Sequence, residues 1–176
     1  MASQEIIFAG FGGQGILSMG KFLAYAGMDA NMNVSWLPSY GPEMRGGTAN
    51  CSVILTDDQV GSPIVTAPDT VVVMNRPSLD KFEKGIKANG LLILDSDLVT
   101  REPERTDLEV IKIPAQTVAT ELGNKTIANM VLLGALVAKT NIVSMDVLLE
   151  ALRAHGKEKF FEINKKALEK GAEYVR

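Results

Sequence analysis

The chain has 176 residues, 46% of them apolar, which fits one domain spanning 1–176 with a substantial core and leaves little room for a second. Its formal charge is -3, from 18 basic and 21 acidic residues with no basic block, so neither the phosphate-neutralising surface of a nucleic-acid binder nor an electrostatic membrane anchor is expected. "MASQEIIF" does not read as a secretory signal, and the longest apolar stretch, "IANMVLLGALVAK", falls short of the roughly 20 residues that span a bilayer, so a cytoplasmic location is expected.

The elements alternate between strand and helix. "EIIFAG" reads as a first strand, and Ile16, Met19, Leu23 and Ala26 then share one face of a helix from about Ile16 to Met28. "NVSWL" is a second strand and "TANCSVILT" a third, ended by the turn at Asp57 and Asp58. "GSPIVTAPD" contains two prolines and reads as an ordered loop or edge segment. Further strands are expected at "TVVVMN", "LLILD" and "LEVIKI". Between the first two of these, "SLDKFEKGIKANG" carries Leu79, Phe82 and Ile86 at helical spacing, with Gly90 as its stop. After Pro114 the chain turns mostly helical. Asn124 or Thr126 caps a buried helix through Lys139, Ser144 caps "MDVLLEALRA", and a last helix covers 158–171. The expected product is a three-layer, Rossmann-like α/β domain with a largely parallel sheet and a helical C-terminal region.

"FAGFGGQGILSMG" at 8–20 places Gly10, Gly12 and Gly15 in the pattern G-x-G-x-x-G between a strand and a helix. Missing side chains at Gly10 and Gly12 would let backbone N–H groups approach a diphosphate at the helix N-terminus, while Gly13 adds backbone freedom and Gln14 an uncharged donor and acceptor. An ordinary tight turn is the competing explanation. No Lys-Ser or Lys-Thr pair follows, so this is no P-loop, and "SWLPSYG" lacks the carboxylate that would hold an adenosine ribose. A free-standing dehydrogenase is therefore not expected.

The most informative segment is "PSYGPEMRGGTANC" at 38–51. Pro38 and Pro42 stiffen it, and Gly41, Gly46 and Gly47 permit tight reversals, so polar side chains between them can be held in place. Arg45 is suited to bidentate contact with phosphate or carboxylate. Glu43 either orients Arg45 or forms an intersubunit ion pair, and Tyr40 and Met44 offer apolar contact. A partner interface, a ligand clamp and a solvated loop all remain open.

Catalytic material is sparse. His155 is the sole histidine and sits late in a helix, where capping or solvation suffices. Cys51, the single cysteine, reads as a small buried apolar side chain before a nucleophile; alone it permits no intramolecular disulfide and no cysteine-ligated iron–sulfur cluster held by this chain. Asp95 and Asp97 end a strand, either at a ligand edge or as helix caps. No residue is assigned a catalytic role, and no metal site is expected.

"GFGGQGI" at 10–16, "PSYGPEMRGGTANCSVI" at 38–54, "SP" at 62–63, "PD" at 68–69, "MNRPSLDKF" at 74–82 and "ELGNKTIANMVLLGAL" at 121–136 together resemble the gamma subunit of the 2-oxoacid:ferredoxin oxidoreductases. The resemblance covers nearly the whole chain and favours the 2-oxoglutarate or branched-chain (2-oxoisovalerate) branch. It implies a complex that decarboxylates a 2-oxoacid, transfers the acyl group to coenzyme A and reduces ferredoxin. Thiamine diphosphate, magnesium and 4Fe-4S clusters would reside in partner chains: alpha and beta subunits, with delta as an optional further one. This chain, inactive alone, would help to form the coenzyme A site through Gly12, Gly13, Gln14, Glu43, Met44, Arg45 and Gly46. An indolepyruvate oxidoreductase small subunit and a stand-alone nucleotide- or coenzyme A-binding module are the alternatives, and a homodimer is open for the isolated chain.

Overall fold

The computed structural model describes residues 2–40 and 48–176. Six strands, β1 (Ser3–Phe11), β2 (Asn33–Tyr40), β3 (Thr48–Thr56), β4 (Thr70–Val73), β5 (Leu91–Asp95) and β6 (Glu109–Ile113), form one sheet in the order β2-β3-β1-β4-β5-β6. Pairs β1/β4, β4/β5 and β5/β6 are parallel, whereas β3 runs antiparallel to both β1 and β2. Five strands therefore share a direction and β3 alone opposes them. The largely parallel expectation holds for direction, and the antiparallel β3 is the feature it lacked.

The strand patterns explain the arrangement. All of Thr70–Val73 and Leu91–Asp95 are buried, as required of parallel strands covered on both faces. In the first half of β3, by contrast, Ala49, Cys51 and Val53 are buried while Asn50 and Ser52 are partly exposed, the alternation of an antiparallel strand with one face covered, before Ile54, Leu55 and Thr56 are buried in turn.

Helices α1 (Ile16–Asp29), α3 (Ala115–Glu121), α4 (Ala128–Thr140), α5 (Met145–His155) and α6 (Phe161–Glu173) contribute to the larger core, on the face carrying Ile6, Phe8, Val72 and Ile93. The opposite face, with Ile7, Val71, Val73 and Leu92, is covered more thinly by α2 (Arg76–Phe82) and by Ile86 and Val99. Every residue from Ala128 to Val137 is buried, so α4 is the central helix of the C-terminal region. It crosses α6 at Gly134 and Gly171, where a Cβ would collide with the backbone carbonyls of Leu168 and Val131 respectively. Ser144 Oγ caps α5 by accepting from the Val147 N–H at 3.1 Å, and Asn124, not Thr126, caps the 3-10 turn that leads into α4.

The helix expected across 78–90 is shorter. It begins at Arg76, capped by Asn75, and after Phe82 tightens into a 3-10 turn over Glu83–Gly85; Ile86 is already extended. The cause lies far away in sequence. The buried Glu83 carboxylate accepts from the N–H groups of Glu104 (2.6 Å) and Arg105 (2.9 Å) and from Arg101 Nη2 (2.9 Å), while the Ile86 carbonyl receives Arg105 Nη1. Gly90 leads into β5 and stops no helix. Among the described residues, no helix is long and apolar enough to cross a membrane.

Candidate functional site

β1 is the strand at which the sheet order turns, with β3 on one side and β4 on the other, and ligand crevices in α/β sheets open outside the carboxyl ends at such points. The chain leaves β1 there through the glycine turn and enters α1. Gly13 and Gly15 have φ values of 90° and 76°, a region that strongly favours glycine. Gly15 is the N-cap of α1 and supplies no side-chain acceptor, and the first turn holds no acid, so the positive end of the helix is not neutralised by its own residues.

Gly10, Gly13 and Gly15 do different work in this turn. A Cβ at Gly10 would come within 2.5 Å of Gln14 Oε1 and 2.7 Å of Ile16 Cδ1, so the missing side chain makes room for the protein itself. The expectation that Gly10 opens space for a diphosphate is corrected accordingly. A Cβ at Gly15 would collide with Asn129 of α4, whose Nδ2 donates to the Gly15 carbonyl at 3.2 Å. Gly13 has nothing within 4 Å of its Cβ position. Gln14 folds back across the turn: its Oε1 accepts the Phe11 N–H at 2.6 Å and its Nε2 donates to the Met74 carbonyl at 3.2 Å.

Crevices flank Gly13 on two sides. One of about 320 Å³ is lined by Phe11, Gly12, Gly13, Ile16, Leu17 and Ala49 among others. A second, of about 200 Å³, is bounded by Gly13, Gln14, Met74, Gln116, Lys125 and Thr126. Lys125, in the 3-10 turn before α4, brings an exposed ammonium to this edge.

Glu43, Met44, Arg45 and Gly46 lie outside the described residues, as do Gly41, Pro42 and Gly47. Their flanks are informative. Tyr40 pairs with Ala49 in the β2/β3 ladder, and Thr48 pairs with Phe11 of β1. The chain thus leaves β2 and re-enters β3 beside the glycine turn, so the described flanks of this segment and the glycine turn share one sheet edge.

The other candidates have internal uses. Asp95 is fully buried; its Oδ1 accepts from the Asp97 N–H at 3.0 Å and its Oδ2 from Gln116 Nε2 at 2.9 Å. Burial pushes its carboxyl above the usual range, with those hydrogen bonds opposing. Asp97 Oδ2 accepts from the Thr117 N–H at 2.7 Å, satisfying the first turn of α3. Asp97 thus caps the start of α3, whereas Asp95 holds the turn after β5 and the Gln116 side chain. Cys51 is fully buried, and burial pushes its thiol up to about 12 despite the opposing hydrogen bonds, which leaves it protonated. His155 is exposed and stacks on Tyr25, with ring centroids 3.7 Å apart and planes inclined by 8°. Among the described residues, no three His, Cys, Asp or Glu side chains gather as metal ligands.

Sequence reasoning did not single out Asn129, Gln116 or Lys125. A polar residue inside the apolar run "IANMVLLGAL" was the available signal for Asn129. Nothing local marks the other two.

The profile of the pyruvate ferredoxin/flavodoxin oxidoreductase family matches residues 5–174. The chain belongs to this family. It is 41% identical over 176 residues to ketoisovalerate oxidoreductase subunit VorA of Methanothermobacter marburgensis, an alignment covering 98% of this chain and 36% of that relative. The gamma subunit of a keto/oxoacid ferredoxin oxidoreductase from Geobacter sulfurreducens superposes with a TM-score of 0.87 at 33% identity, over 99% of this chain and 97% of that one. The 2-oxoglutarate:ferredoxin oxidoreductase from Magnetococcus marinus, solved with 2-oxoglutarate, coenzyme A and succinyl-CoA bound, gives a TM-score of 0.88 at 27% identity, over 99% of this chain and 31% of that one. The chain thus spans about a third of two of these relatives and nearly all of the separate gamma subunit.

Proposed function

We propose that this chain is the gamma subunit of a cytoplasmic 2-oxoacid:ferredoxin oxidoreductase of the 2-oxoglutarate or branched-chain type, and that the carboxyl edge around Gly13 forms part of its coenzyme A site. The observation that carries the proposal is the fit of 99% of the chain onto an enzyme of this class solved with coenzyme A bound, at a TM-score of 0.88. The turn supports it: Gly13 combines a left-handed backbone with open space at its Cβ position, at the start of a helix without an acidic first turn.

In the assembled enzyme, alpha and beta chains, with or without delta, would hold thiamine diphosphate with magnesium and the 4Fe-4S clusters. Thiamine diphosphate supplies the carbanion-stabilising chemistry of decarboxylation when bound. The residues of this chain bind and orient. Gly12 and Gly13 offer backbone N–H groups, Gln14 its remaining amide proton, and Lys125 a cation. Arg45 pairs with an anionic group, Glu43 orients it, and Met44 and Gly46 complete the contact surface beside the turn. Holding the coenzyme A thiol at the reacting centre contributes by orientation, and covering that centre excludes water. The acyl group passes to sulfur, carbon dioxide leaves, and two electrons reach ferredoxin through the partner chains.

The test is anaerobic isolation of the endogenous protein, native mass measurement, and ferredoxin reduction with 2-oxoglutarate or 2-oxoisovalerate with and without coenzyme A. Co-isolation with a thiamine-binding and a cysteine-rich chain, and coenzyme A-dependent reduction, are expected. Recovery of this chain only as itself at native abundance would refute the assignment.

A further inference from the structure

The β1/β4 ladder stops one rung before the site, and a side chain occupies the place of the missing rung. Met74 donates its N–H to the Ala9 carbonyl at 2.9 Å. In a continuing parallel ladder, the next bond would run from the Phe11 N–H to the Met74 carbonyl. Instead the Phe11 N–H donates to Gln14 Oε1 at 2.6 Å, and Gln14 Nε2 donates to that carbonyl at 3.2 Å. One carboxamide is inserted between the two strands. Gly10 is the residue that makes this possible, because a Cβ there would lie 2.5 Å from Gln14 Oε1 and 3.1 Å from Met74 Cβ. The inserted amide has both kinds of group that the rung requires, an acceptor for Phe11 and a donor for Met74, carried on separate atoms of one uncharged side chain.

We propose that Gln14 is a positioning residue: its carboxamide wedges β1 from β4 at the carboxyl edge and so fixes the width of the crevice at Gly13 into which coenzyme A docks. This rests on the functional assignment above and adds to it a mechanical role for a side chain that contacts both strands. Without the wedge, Phe11 and Met74 either close their own rung or admit water, and in both cases the turn carrying Gly13 shifts relative to Gln116 and Lys125, which line the same crevice.

Three variants test this in the assembled complex. Gln14→Ala removes both contacts and Gln14→Met keeps the length without them. Each should raise the KM for coenzyme A about tenfold, equivalent to about 1.4 kcal/mol of binding, with a smaller change in kcat. Gln14→Glu is the decisive one. Protonated, the introduced carboxyl both accepts from Phe11 and donates to Met74; ionised, it turns a second acceptor toward the Met74 carbonyl. Its KM should approach that of the wild type at low pH and rise as pH increases through a carboxyl pKa raised by that contact, a transition absent from wild type and from Gln14→Ala. Wild-type KM for Gln14→Ala, or a Gln14→Glu profile parallel to wild type, would overturn the proposal. Hydrogen exchange of the Phe11 amide in the full chain without ligand separates this from the functional assignment. Faster exchange in Gln14→Ala and Gln14→Met supports the wedge even if the wild-type complex proves indifferent to coenzyme A, and unchanged protection defeats the wedge whatever coenzyme A does.

Discussion

Replacing Gly15 with Ala should cost two separable penalties. The first is conformational: at φ 76° an L-residue loses about 1–2 kcal/mol relative to glycine. The second is steric, since the added methyl meets Asn129 Nδ2 and lies 2.9 Å from its Cγ, and overpacking of this kind costs about 1–3 kcal/mol. The expected total is about 2–5 kcal/mol, against the roughly 5–15 kcal/mol typical of a whole domain. A loss of about 3 kcal/mol would lower a urea midpoint by about 1.5 M at a slope of about 2 kcal/mol/M. Asn129→Ala alone forfeits the hydrogen bond to the Gly15 carbonyl, about 1 kcal/mol. In the double variant the collision disappears, because Asn129 Cβ lies an ordinary 3.5 Å from the new methyl and only the atoms beyond it obstruct. The double variant should therefore be more stable than the sum of the singles predicts, by about 1–3 kcal/mol. Urea unfolding of all four chains, with unchanged slopes, measures the coupling. Additivity within about 0.5 kcal/mol would refute the view that Gly15 is glycine to admit Asn129.

Glu83 is held below the usual carboxylate range: burial raises it, but the N–H groups of Arg105 and Glu104 and the Arg101 guanidinium together outweigh that. Its contribution is therefore complete above the ordinary carboxylate pKa and lost as pH falls through the lowered value; Glu83→Gln should lower stability at neutral pH and flatten the acid limb of a pH–stability curve, and an unchanged limb would count against the network. Cys51, with its thiol at about 12, should resist a thiol reagent at pH 8 in the native chain and react on unfolding; labelling of the native chain at the rate of a free thiol would contradict its burial. Arg45→Ala in the assembled complex should raise the KM for coenzyme A or loosen subunit association, and full activity with unchanged coenzyme A dependence would remove Arg45 from the site.

Much of the fold is visible in local pattern. β3 and β5 have the bounds that their sequences suggest, and Ser144 caps the helix it precedes, because alternation, apolar runs and caps are decided within a few residues. The direction of β3 was also encoded, in the contrast between its alternation and the unbroken burial of β4 and β5, but direction is a property of a pair and becomes certain only when the partner is known. The shortened α2 shows where local pattern fails. Leu79, Phe82 and Ile86 keep a helical period, yet Glu83 is claimed by backbone N–H groups about twenty residues downstream, and the chain straightens so that the Ile86 carbonyl meets the Arg105 guanidinium. The same distance hid what Gln14 does with its side chain, whose second partner, Met74, lies just past the end of β4, a strand that nothing near the turn identifies as its neighbour.

The glycine turn therefore separates two things that its sequence pattern joins. In a dinucleotide site, G-x-G-x-x-G marks a tight turn, an approach to pyrophosphate and a close helix contact. Here Gly10 receives a carboxamide and Gly15 receives Asn129, so two of the three positions are explained without a ligand. Gly13, outside the three-glycine pattern, is the one with a left-handed backbone and open space, and it borders both crevices. Its glycine requirement is conformational, so a ligand lying across it meets backbone and need not fill a cavity that a methyl would occupy. The same pattern thus belongs equally to a dehydrogenase and to this chain, and what distinguishes them lies at the flanks: no carboxylate closing β2, and a Pro- and Gly-rich segment with Arg45 between β2 and β3.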